Sequence, residues 1–238
     1  MYKLPFIGVL VLLISCSEVK KEVKTIPLVM YSGAMKNVMK KGELQGTIAL
    51  DTLPDNPNLY GIGPVEFLQG EITLFEGRNF VSYVESEMKH IVSETFSVKA
   101  PFFVYAEVKE WEEIPVPDSV EDLKSLEDFL NKLEKKDTLP FVFKIETNIK
   151  SAVFHVVNLP TGTKVSSPED AHKGKISYSV TNENVDLIGF YSTHHHTIFT
   201  HHDSNIHVHL LSKDKKQMGH LDEAYFYPTT LKLFKSKS

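Results

Sequence analysis

Three histidines near the C-terminal end are spaced for metal chemistry. The run Asn205-Ile206-His207-Val208-His209-Leu210-Leu211 is followed by a polar stretch and then by Met218-Gly219-His220-Leu221-Asp222. Residues two apart on a strand project from one face, so His207 and His209 point together while Ile206, Val208 and Leu210 pack behind them. A hairpin centred on Asp214-Lys215 sets His209 directly across from His220, where paired Cβ atoms stand about 4.5–5.5 Å apart. The same register sets His207 opposite Asp222, a carboxylate able to orient a metal-bound imidazole. Three neutral imidazoles with an open fourth position suit a catalytic Zn2+, which polarises carbonyls and acidifies bound water. The alternative is a surface hairpin carrying incidental histidines.

The other histidines lack that geometry. His194, His195, His196, His201 and His202 form a tract without alternation and read as a solvated loop near the site; His90, His155 and His172 stand singly and read as structural or surface residues. Cys16 is the one cysteine, which excludes an internal disulfide framework and any cysteine-based zinc knuckle. A formal charge of -5 with scattered basic residues gives no footprint for a nucleic-acid partner. Arg78 is the one arginine among 26 cationic residues.

The elements that must carry these residues begin after an export signal. In residues 1–16, Lys3 precedes an apolar stretch from Leu4 to Ile14 that is too short to span a bilayer. Its ending, Leu13-Ile14-Ser15-Cys16, resembles a bacterial lipobox, which makes Cys16 the site of lipidation and residues 17–25 a polar tether. The expected location is the cell envelope, periplasmic or surface-facing, with a lipid anchor to the membrane. The folded part, residues 26–238, divides into an N-terminal sheet (about 26–114), a helix (119–135) capped by Ser119, and a C-terminal metal-binding sheet (about 139–238). In the helix, Val120, Leu123, Leu126, Leu130 and Leu133 recur at helical steps and mark a core-covering face. Val65 to Leu68, Glu71 to Phe75 and Phe80 to Val84, separated by Gln69-Gly70 and Glu76-Gly77-Arg78, read as three adjacent antiparallel strands. The expected class is α+β and β-rich, with two mixed or antiparallel sheets and few helices.

Two segments, in order, resemble the alpha-acetolactate decarboxylase family. Gly61-Ile62-Gly63, Phe67-Leu68-Gln69-Gly70-Glu71-Ile72 and Phe75-Glu76-Gly77 are similar to its "GIGT…LDGEL…LDG" segment, and Ile188-Gly189-Phe190-Tyr191, His207-Val208-His209 and Gly219-His220 to its "GF(W/Y)…H-x-H…GH" segment. The resemblance implies a two-sheet fold, often dimeric, and zinc on His207, His209 and His220. It also implies that Glu71 is the active-site glutamate, although the residue alone reads as a solvent-facing strand position. The implied reaction is zinc-dependent decarboxylation of a 2-hydroxy-3-oxo acid, 2-acetolactate, to acetoin and CO2. The alternatives are a lipid-anchored zinc-binding protein on the same scaffold, or a zinc hydrolase with Glu71 as base. The family's active-site arginine has no counterpart on Ser151 to Asn158, which leaves Lys150, a loop histidine or Arg78 to supply positive charge. Its second glutamate, in a C-terminal extension, has none before Ser238.

Overall fold

The computed structural model describes residues 29–133 and 139–237; Cys16, with the rest of the leader and tether, lies outside the described residues. The first half of the chain supplies Val29–Gly33 (β1), Ile48–Ala49 (β2), Leu59–Pro64 (β3), Glu71–Phe75 (β4), Arg78–Ser86 (β5), Lys89–Glu94 (β6), Lys99–Ala100 (β7) and Phe102–Glu107 (β8). The second supplies Trp111–Ile114 (β9), Phe141–Val156 (β10), Ile176–Tyr191 (β11), Ile206–Ser212 (β12), Met218–Phe226 (β13) and Lys232–Ser236 (β14). Met35–Lys41 (α1), Leu123–Leu133 (α2) and Pro168–Ala171 (α3) are the helices. All strand pairings are antiparallel, and the fold is the expected β-rich, two-sheet class.

One sheet runs β1-β8-β3-β4-β5-β6 and the other β11-β12-β13-β10-β14-β9, while β2 and β7 form a separate pair. Strand β10 also pairs with β11 along almost its whole length, so β10, β11, β12 and β13 close into a ring. Alternation assigns the two sides of this ring. Phe143, Ile145, Leu187, Val208, Leu210 and Leu221 fill one cluster, whereas Ile188, Phe190, Leu211 and Met218 face the first sheet and join Ile62, Phe75 and Val104. Each fully buried aliphatic side chain of this kind contributes about 1.5–3 kcal/mol relative to exposure. The polar residues His207, His209, Glu71 and Thr73 lie in the same seam between the sheets, on strands whose other faces carry Ile72 and Leu74, and Ile206, Val208 and Leu210.

Several boundaries differ from the sequence reading, each for a local reason. The helix begins at Leu123, because Asp122 rather than Ser119 accepts from the Ser125 N–H (2.7 Å); residues 134–135 lie outside the described residues. Trp111–Ile114 pairs with β14 in the second sheet, so the first sheet ends at Glu107. Val65 to Leu68 is a tight turn entered by left-handed Phe67 and Leu68, and Leu59–Pro64 is the strand in its place. The short apolar runs after Pro140 fuse into two 16-residue strands, since alternating polar residues continue a strand as well as end it. Glu76 and Gly77 both take positive φ (51° and 71°), the two-residue turn that matches strand twist. Among the described residues no helix is long and apolar enough to cross a membrane.

A close strand approach lies beside the site. A Cβ on Gly219 would fall on the carbonyl oxygen of its neighbour His155 and within 2.8 Å of the Phe154 ring. A backbone oxygen cannot swing away, so Gly219→Ala is expected to force β13 from β10 and destabilise the protein by about 1–3 kcal/mol. Urea unfolding measures this, and a change below about 0.5 kcal/mol would show that the strands have slack.

Candidate metal centre

The hairpin from β12 to β13 has the expected register, with His209 opposite His220, Leu210 opposite Gly219 and Leu211 opposite Met218. Its turn is held by Ser212, whose N–H donates to the Gln217 carbonyl (2.9 Å) and whose hydroxyl accepts from the Gln217 N–H (2.9 Å). One candidate ligand atom from each of His207, His209 and His220 lies within 4.8 Å of the others. His207 and His209 are 3 % and 0 % exposed, which excludes the incidental surface hairpin.

Each imidazole is aimed by its second nitrogen. His207 Nδ1 donates to the Phe199 carbonyl (2.8 Å), and this fixes its proton there and leaves Nε2 as a lone pair. His209 Nδ1 lies 3.0 Å from Thr73 Oγ1. His220 turns Nδ1 to within 3.0 Å of His207 Nε2, close to the separation of about 3.3 Å between two nitrogens on one tetrahedral ion. His209 Nε2 is fully buried and has no hydrogen-bond partner. An orphaned imidazole nitrogen is costly in a dry seam, and a metal ion is the partner that suits it. Burial holds all three imidazoles neutral: His207 falls to about 3, and His209 and His220 lie well below the ordinary histidine value. The donor set therefore fits a metal that prefers neutral nitrogen ligands.

Glu71 enters from the other sheet. It shares a face of β4 with Thr73, it is 3 % exposed, and its Oε2 stands 3.7 Å from His209 Nε2. It is thus a buried residue, contrary to the solvent-facing reading. Burial pushes its carboxyl well above the ordinary glutamate value, partly offset by the Val157 N–H that donates to Oε1 (3.4 Å).

Asp222 does not orient His207. Strand β13 bulges there, since Phe154 pairs with Leu221 and Val153 with Glu223, and the skipped carboxylate turns toward β10. Both its oxygens meet His155 Nδ1, at 2.8 and 2.9 Å. Burial would raise Asp222, but the His155 hydrogen bond and the attraction of His155 and Lys175 together outweigh it and hold the carboxyl below its usual value. His155, read from the sequence as isolated, is the cross-strand neighbour of His220 with ring centroids 4.7 Å apart. The available signal was its alternation with the core residues Ala152 and Phe154. His90 packs between Phe154 and Tyr178 as a structural residue.

The histidine tract splits. His194, His196 and His202 are exposed, but His201 folds back until its Nε2 is 3.3 Å from His220 Nε2. Helix α2 anchors the end of this loop, because Glu127 accepts from the Asn205 N–H (2.6 Å) and the Ser204 hydroxyl (3.2 Å). A cleft of about 310 Å³ between α2, the loop and the hairpin is bordered by His201, His207, His220, Glu127 and Asp222. The candidate cations fall elsewhere: Arg78 pairs with Glu94 at the surface (2.6 Å), and Lys150 is exposed. Lys175, unremarked in the sequence, lies 3.6 Å from Asp222.

Comparisons with known proteins agree with this architecture. The fold is shared with alpha-acetolactate decarboxylase from Bacillus subtilis strain 168, at TM-score 0.71 and 18% identity over 88% of this chain and 85% of that one. The enzyme from Bacillus subtilis subspecies spizizenii gives 0.72 and 17% over 88% and 86%. A Staphylococcus aureus protein of unknown function, similar to alpha-acetolactate decarboxylase, gives 0.69 and 14% over 88% and 84%. No curated protein sequence matches significantly. The family model for alpha-acetolactate decarboxylase matches residues 30–236, which span both sheets and every residue of the buried cage, and the chain belongs to that family.

Proposed function

We propose that the protein is a zinc-dependent decarboxylase that converts 2-acetolactate to acetoin and CO2. The observation that carries this reading is the cage of His207, His209 and His220 with an orphaned nitrogen, facing Glu71 in a chain of this family. His207, His209 and His220 would hold the zinc, which would supply Lewis acidity to the substrate's oxygens.

The chain's own residues supply the rest. The carbon–carbon bond to the carboxylate breaks, its electron pair remains with the substrate, and one proton must reach carbon to complete acetoin. Glu71 is suited to hand over that proton, because burial makes its carboxyl retain one longer than an exposed glutamate does. The polar edge of the cleft, His201 and Asp222, meets the small hydroxy-oxo acid, while Phe199 and Thr73 keep the imidazoles aimed. The lipobox-like ending at Cys16 supports a cell-envelope location for this chemistry.

Purified zinc-loaded protein given racemic 2-acetolactate is expected to form acetoin above the spontaneous rate. Chelation or His209→Ala should abolish the enhancement, and Glu71→Gln should reduce it by about 10²–10⁴-fold with zinc retained. No enhancement, or one unchanged in His209→Ala, would overturn the assignment.

Burial also sets a pH dependence for the zinc-free protein. His155, His207, His209 and His220 all have folded-state values below the usual 6.5, so the unfolded chain binds more protons as pH falls. Their stabilisation is present above 6.5 and is lost as pH drops toward each folded value, about 3 for His207. Glu71 acts in the opposite sense, but His90, His172, His195 and His201 are also lowered and act with these four histidines. The melting temperature of chelator-treated protein should fall from about pH 7.5 to about pH 5; a rise would contradict the burial assigned to the cage.

A further inference from the structure

Glu71 sits between two imidazoles. His209 Nε2 faces its Oε2 at 3.7 Å, and His155 Nε2 faces its Oε1 at 3.9 Å. His209 belongs to the metal cage, but His155 does not, and its placement is costly to arrange. It is 6 % exposed, it is gripped at Nδ1 by both oxygens of Asp222, and that carboxylate is delivered by a bulge in β13 and braced by Lys175 at 3.6 Å.

We infer that His155, clamped by Asp222, is the positioning residue for the Glu71 carboxyl group. The inference rests on the decarboxylase reading for its catalytic consequence, and its geometry stands without it. An aspartate that accepts Nδ1–H fixes both the tautomer and the plane of the ring, and so gives Nε2 one defined role. That role is a lone pair directed at Glu71 Oε1. Among the described residues the hydrogen bond to this carboxyl group is the 3.4 Å contact from the Val157 N–H, and this donor lies on the same stretch of chain two residues beyond His155. A long pairing at 3.9 Å is typical of an unliganded site and tightens when the site is filled. Strand β10 thereby fixes the acid that β4 carries, while β12 and β13 carry the cage.

The test uses the full chain loaded with zinc, as wild type, His155→Ala, His155→Gln and Asp222→Asn, with zinc per chain, crystal structures, kcat and KM as readouts. His155→Ala is expected to keep one zinc, to release Glu71 from a single rotamer, and to lower kcat about 100-fold with KM changed less than about threefold. His155→Gln, whose side-chain amide oxygen can accept at the Nε2 position, should restore Glu71 to one rotamer and recover at least about tenfold in kcat, and Asp222→Asn should fall between. Loss of zinc in His155→Ala, or an unmoved Glu71 with kcat within about threefold of wild type, would overturn the inference. If the wild type forms no acetoin, the decarboxylase reading fails, and the Glu71 rotamer in His155→Ala and His155→Gln still decides the role of His155.

Discussion

The register of three antiparallel strands is the constraint from which the site follows. His209, His220 and His155 are successive cross-strand neighbours on β12, β13 and β10, and all project into the seam. A one-residue slip of β12 would turn His207 and His209 into the apolar ring and bring Val208 and Leu210 out of it. The ring core therefore specifies the histidine cage: the side chains that drive closure of β10–β13 are the same ones whose alternation leaves the histidines on the opposite face. Gly219 shows how tight this pairing is, since the strand beside His220 leaves no room for a methyl group.

Collecting so many polar groups in a dry seam is unfavourable unless each is satisfied. His207 uses Phe199, His209 uses Thr73, and His155 uses Asp222, so one nitrogen of each ring is anchored and the other is directed. The same burial that deprives the imidazoles of water keeps them neutral and makes Glu71 retain its proton. Ligand basicity and acid strength are thus set by one cause, desolvation, acting with opposite sign on bases and acids. Helix α2, which covers the ring through Leu126 and Leu130, also fixes the loop that brings His201 to the cleft, so the core-covering helix bears on the site through Glu127.

The parts of this arrangement legible in the sequence are those governed by short-range periodicity. His207 and His209 follow from alternation and His220 from the symmetry of a hairpin, because each depends on residues within one supersecondary unit. Asp222 was misplaced because a bulge adds a residue to one strand, and no local pattern announces where it falls. His155 was missed because its neighbours lie 65 and 67 residues away, in a pairing that only tertiary structure creates. The depth of Glu71 has the same origin, since β4 alone does not reveal that a second sheet covers it. Family likeness identified its position, and the structure supplies the physical reason. Helix α1 is set among strand-like runs, and only its end carries a local mark, Gly42 with φ 66°.

The central claim is that the seam holds one metal ion on three imidazoles. Diffraction from zinc-loaded crystals on both sides of the zinc absorption edge tests it most directly. One anomalous peak per chain is expected, about 2.0–2.1 Å from His207 Nε2, His209 Nε2 and a ring nitrogen of His220. An empty cage, with zinc only on the exposed histidines of the 194–202 loop, would contradict it.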